Sequence, residues 1–127
     1  MRGTLQRLLP VLLVAAGLFV GTGIAAPTAG ALGWGAIAIS PDTGRVGYSQ
    51  GLNSAIEAEQ AAVGLCKARD CRAVVNFTNA CGAVAQSIQN TSWGWGWDRS
   101  SPGAQNKALI SCSQFGARCR VVGWICS

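Results

Sequence analysis

The 127-residue chain contains no histidine. That removes the base of Ser-His and Cys-His nucleophilic pairs and the commonest nitrogen ligand for zinc. Charge is scarce too: 12% of residues are Asp, Glu, Lys or Arg, and only five are acidic. Hydrolysis by paired carboxylates needs two acids across a cleft. Glu57 and Glu59 fall in the first turn of an expected helix, where the macrodipole accounts for them, and Asp42 falls in a turn. Asp98 follows three tryptophans and reads as an N-terminal helix charge or a partner for Arg99. The stretch "WGWGW" lacks the lysine and the strand–helix setting of a phosphate cradle. On these absences the chain is expected not to be an enzyme, with no catalytic residue, no cofactor and no metal.

There is also no run of like charge. The cations after residue 31 are Arg45, Lys67, Arg69, Arg72, Arg99, Lys107, Arg118 and Arg120. Set against Asp42, Glu57, Glu59, Asp70 and Asp98, these eight leave a net charge of +3. Scattered along the chain, they read as a solvated surface and not as a nucleic-acid footprint.

One long apolar run is present, at the N-terminus. Arg2 and Arg7 precede an apolar stretch from Leu8 to Val20, and small residues lead to Ala29-Gly30-Ala31. Those are the three parts of a secretory signal peptide. Residues 1–31 are therefore expected to be removed, with Ala25 and Ala26 as alternative cleavage sites. Residues 32–127 remain as a single domain, expected to be secreted or held in the cell envelope, monomeric and free of the membrane once the signal is gone.

All six cysteines, Cys66, Cys71, Cys81, Cys112, Cys119 and Cys126, lie in that remainder. An even count in a small exported chain reads as a disulfide framework. Zinc is the rival, but with no His and no CxxC it would need an all-thiolate site at odd spacings.

A duplication organises the chain. Gly35-Ala36-Ile37-Ala38-Ile39-Ser40 returns as Gly82-Ala83-Val84-Ala85-Gln86-Ser87, and Gly47-Tyr48 returns as Gly94-Trp95. Ser54, Ala58, Ala62 and Cys66 return as Ser100, Ala104, Ala108 and Cys112, and Cys71-Arg72 as Cys119-Arg120. Internal repeats take precedence over local pattern in deciding a fold. The halves span about residues 33–78 and 80–127.

Each half reads strand, strand, helix, strand. Trp34 to Ile39 alternates small and apolar residues, Pro41 to Gly44 supplies turn chemistry, and Arg45 to Ser49 returns. Ser54-Ala55-Ile56-Glu57 is a capping-box pattern opening a helix to about Ala68, with Ala55, Ala58, Ala62 and Leu65 along one stripe. "CRAVVNFT" is the third strand. In the second half "CGAVAQSI" and "SWGWGW" are strands, Ser101-Pro102 starts a helix, and "CRVVGWIC" closes the chain. The expected fold is α+β, a mostly antiparallel sheet from two pseudo-repeated halves with two helices packed on it.

The repeat also constrains the disulfides, for which six cysteines permit 15 pairings. Equivalent elements should make equivalent bonds, giving Cys66–Cys71 and Cys112–Cys119. Cys81 and Cys126 then pair by elimination.

In "WGAIAIS", "NACGAVA", "WGWGW" and the terminal "CRVVGWICS" the chain resembles the bacterial domain of unknown function numbered 4189, over nearly all of Gly33 to Ser127. The resemblance implies a small exported protein with no established enzymatic activity and no catalytic residues to transfer. It also implies kinship with proteins some of which are regarded as secreted effectors acting on host cells. The second helix is less alanine-rich than that family pattern leads one to expect.

Three of the five tryptophans stand at alternate positions, Trp93, Trp95 and Trp97. In a strand they form one ridge, with Gly94 and Gly96 leaving the other face bare. Either the ridge fills a core, or the glycine face meets an alanine-lined helix and the indoles look outward as a platform for a protein or glycan. The expected surface is Tyr48, Trp93, Trp95, Trp97 and Arg99. The functional expectation is a small secreted, non-enzymatic binding or effector domain acting on host or cell envelope. An extracellular stability module without ligand, or an inhibitor of a secreted hydrolase, is the alternative.

Overall fold

The computed structural model describes residues 33–127, and the expected signal peptide lies outside them. The first half runs β1 (Trp34–Ile39), β2 (Val46–Leu52), α1 (Ala55–Cys66) and β3 (Arg72–Thr78). The second runs β4 (Cys81–Ser87), β5 (Trp93–Asp98), α2 (Ser101–Ser113) and β6 (Cys119–Cys126). Both halves repeat the expected order, and all strand pairing is antiparallel.

The strands do not join into a single sheet. Each half builds its own three-stranded sheet, ordered β2-β1-β3 and β5-β4-β6, with the half's first strand in the centre. The reason lies in the alternation of those central strands. Ala36 and Ala38 on one face of β1 are packed by Ala58, Ala62 and Cys66 of α1. Ala83 and Ala85 of β4 meet Ala104, Ala108 and Cys112 of α2 in the same way. The opposite faces, led by Ile37, Ile39 and Val84, are too apolar for water and close on one another with Val75, Phe77 and Trp93. The order through the molecule is helix, sheet, sheet, helix.

Phe77 fills the sheet-to-sheet contact at the end where β1 and β4 begin. A Cβ on either Gly35 or Gly82, which are repeat equivalents, would run into its ring. Ser127 ties the same end of the sandwich: it accepts from the Gly51 N–H at 3.2 Å and donates to the Gly33 carbonyl at 3.0 Å. β2 touches β6 and β3 touches β5, so the two halves are related as by a two-fold axis along the strands.

The helix starts follow the sequence closely. Ser54 Oγ accepts from the Glu57 N–H at 3.2 Å, and Ser100 Oγ from the Gly103 N–H at 3.1 Å. α1 ends at Cys66, ahead of the expected Ala68, because Lys67 takes a left-handed cap with φ 61°. Its buried stripe is Ala58, Ala62 and Cys66. Leu65, expected on that stripe, is exposed, since it falls on the far side of the helix turn. The three disulfides are Cys66–Cys71, Cys112–Cys119 and Cys81–Cys126, the pairing the repeat requires. Cys81 and Cys126 face each other directly across β4 and β6.

Candidate functional site

The tryptophan strand divides its faces by size. Gly94 and Gly96 pair with Ala85 and Ala83 and so lie on the face that α2 covers. A Cβ on Gly94 would collide with the backbone of Ala108 and Cys112, and one on Gly96 with Lys107 and Ala108. Gly47, the equivalent of Gly94, is pressed in the same way against Ala62 and Cys66 of α1. The glycines are thus the seats of the two helices.

The indoles project from the other face, toward the first half's sheet, and their burial falls along the strand. Trp93 is 8% exposed and belongs to the sheet-to-sheet core. Trp95 is 39% exposed and Trp97 56%. The ridge is therefore core at one end and surface at the other, and Trp93 drops out of the expected surface. Its indole N–H is buried with no hydrogen-bond partner among the described residues.

Tyr48 drops out for a different reason. It projects from β2 onto β6, where a Cβ on Gly123 would strike its hydroxyl. The β2–β6 edge lies on the opposite side of the sandwich from the β3–β5 edge that carries Trp95 and Trp97. Partial burial there pushes the Tyr48 phenol above its ordinary value.

Trp97 borders a recess of about 260 Å³ lined also by Asn76, Phe77 and Thr78. Lys107 Nζ sits 5.5 Å from the Trp97 ring centroid and 4.0 Å from Asp98 Oδ2. The side-chain partner of the carboxylate is thus Lys107, which α2 brings back over β5, while Arg99 reaches it through its backbone N–H, donated to Asp98 Oδ1 at 2.7 Å. Asp98 also lies against Gly103 in the first turn of α2, in keeping with a helix N-terminal charge. Arg99 is exposed just beyond the strand.

The rim has few free donors. Asn76 gives its amide N–H to Glu59 Oε1 at 2.6 Å, and Thr78 gives its hydroxyl to the Gly33 carbonyl at 3.0 Å. Asn76, Phe77, Thr78 and Lys107 are not part of the surface expected from sequence, in which Asn76-Phe77-Thr78 reads only as a glycosylation sequon. Their place at the edge depends on β3 lying opposite β5, a pairing of layers that no local pattern encodes.

All six cysteines are oxidised, so no thiol is available. No group of three metal-ligating side chains occurs among the described residues, and none of their helices is long and apolar enough to cross a membrane.

The family model described as Domain of unknown function (DUF4189) matches residues 34–126. No curated protein matches the chain. Among solved structures it is similar to one titled "NMR structure of Rv1813c from Mycobacterium tuberculosis", at 29% identity and a TM-score of 0.57, over 74% of each chain.

Proposed function

Since the chain belongs to the DUF4189 family, with all of its cysteines bridged, we propose that it is a small secreted, non-enzymatic binding or effector domain. On this reading it acts on a host or cell-envelope partner through the β3–β5 edge. The observation that carries the reading is Trp97, more than half exposed beside the recess while Trp93 of the same strand is buried. Exposed indoles cost solvation that packing does not return, and they are frequent anchors of interfaces. The absence of histidine and the closure of every thiol support a binding role over a catalytic one.

The test is a screen of immobilised glycans and extracellular proteins with the native chain and with Trp95→Ala/Trp97→Ala. Binding that disappears in the double variant supports the edge. Acrylamide quenching adds a direct check: the native emission should show a larger quenchable component than the double variant, which keeps the half-exposed Trp124. Complete protection of every tryptophan sinks the reading.

A further inference from the structure

The duplication supplies an internal control, and one pair of equivalent loops fails to match. In the first half the helix end and the next strand are bridged over a sequence separation of 5, by Cys66–Cys71. In the second half the separation is 7, and the insertion carries Phe115. Phe115 is 68% exposed. Beside it, the β4–β5 loop presents Ile88, 57% exposed, where the first half has Pro41. The two loops are tied together by backbone: Ile88 N–H donates to the Arg118 carbonyl at 3.1 Å, and Ser92 Oγ to the Phe115 carbonyl at 2.9 Å. Two large apolar side chains are thus held on fixed backbone at a loop tip, and neither belongs to a core cluster.

Charge gathers at the same end. Ile39 pairs with Val46 and Arg72, and Gln86 with Trp93 and Arg120, while Ile39, Val46 and Trp93 share one core. The far ends of both sheets therefore lie together. Six of the eight cations among the described residues, Arg45, Lys67, Arg69, Arg72, Arg118 and Arg120, sit on or next to the loops of that end, all exposed. Only Asp42 and Asp70 oppose them. The Ser40 hydroxyl and the Asp42 N–H both donate to Asp70, so one of these carboxylates is already engaged. Glu57, Glu59 and Asp98 lie toward the opposite end. Charges scattered in sequence are sorted by the fold into a cationic end with an apolar tip.

We infer that this end docks on an anionic lipid surface. Phe115 and Ile88 enter the interface and the six cations lie over the headgroups. Cations alone would suit any polyanion, but the inserted, exposed phenylalanine beside them needs an apolar phase as well. The site is separate from the tryptophan edge and does not depend on it.

The test is vesicle co-sedimentation of the full chain, comparing phosphatidylcholine alone with phosphatidylcholine containing anionic phosphatidylglycerol. The readout is each variant's change against the native chain, which cancels attachment through the N-terminal segment they share, including the pull of Arg2 and Arg7 on anionic headgroups. The native chain should favour anionic vesicles and lose that preference in high salt. Arg118→Ser/Arg120→Ser should weaken anionic binding by about 25-fold, at about fivefold per arginine near the surface. Phe115→Ser/Ile88→Ser should weaken it several-fold, while Ile56→Ser, exposed at the other end of the molecule, should leave it unchanged. Equal binding to both vesicles overturns the proposal. So does binding that depends on the arginines but ignores Phe115 and Ile88, accompanied by equally tight binding to dextran sulfate, because the ligand would then be a soluble polyanion.

Discussion

The two halves share a scaffold and differ at their margins. In both, a glycine on the second strand, Gly47 or Gly94, lets an alanine-faced helix sit directly on the sheet. In both, a buried serine closes the first strand. Ser40 Oγ accepts from the Thr43 N–H at 3.1 Å, and Ser87 Oγ from the Asn90 N–H at 3.3 Å. Yet where β2 carries Ser49, whose hydroxyl is spent on the Ala58 carbonyl, and then Gln50, β5 carries Gly96 and an exposed Trp97. The exposed apolar loop tip also belongs to the second half alone. What the copies share is what holds helix to sheet, and what sets them apart lies at the surface. That is the pattern left when one copy is free to acquire a surface role while both remain bound to the same packing.

The comparison predicts a steep gradient within one strand. Trp93→Ala should cost about 4 kcal/mol in chemical denaturation, as expected for emptying a buried indole site. Trp97→Ala should stay within about 0.5 kcal/mol, as exposed substitutions usually do. Equal costs would mean that the ridge is not divided between core and surface. A similar contrast holds among the disulfides. Replacing Cys81 and Cys126 by serine should cost about 4 kcal/mol, against about 2 kcal/mol for either local bridge, because the longer loop restricts the unfolded chain more. Parity among the three bridges would break the symmetric account.

Gly47→Ala and Gly94→Ala should each lose about 3 kcal/mol, since in both the new Cβ meets helix backbone that cannot yield cheaply. A large inequality between them would show that the two helices are not seated alike. The smallest effect concerns Asp70, present only in the first half. The Ser40 hydroxyl first, then the Asp42 N–H, holds its carboxyl below the ordinary carboxylate range. A lowered folded pKa contributes stability above the unfolded value, and that contribution is lost as pH falls through the folded one. Asp70→Asn should therefore be slightly less stable at neutral pH and show a shallower loss toward acid. Superimposable pH profiles would refute this.

Some of this was legible from residue spacing. Strand alternation put Gly94 and Gly96 on the face opposite the indoles but left open whether a helix covers it, and the capping serines and the disulfide pairing followed from sequence pattern and the repeat. The recess was not legible, because Asn76, Phe77 and Thr78 meet Trp97 only through the apposition of two sheets. The expected grouping of Tyr48 with the tryptophans failed for the same reason. As repeat equivalents, Tyr48 and Trp95 are related by the two-fold arrangement, and that arrangement sends them to opposite edges.

By itself the sequence determined the elements, the duplication and which cysteines join, because each depends on short-range period or on the equivalence of copies. Only the tertiary structure decided that the strands form two sheets and which tryptophan is buried. It likewise decided that dispersed arginines share one end with Phe115. Those outcomes depend on which apolar face closes on which, and that choice is made by surfaces far apart in the chain.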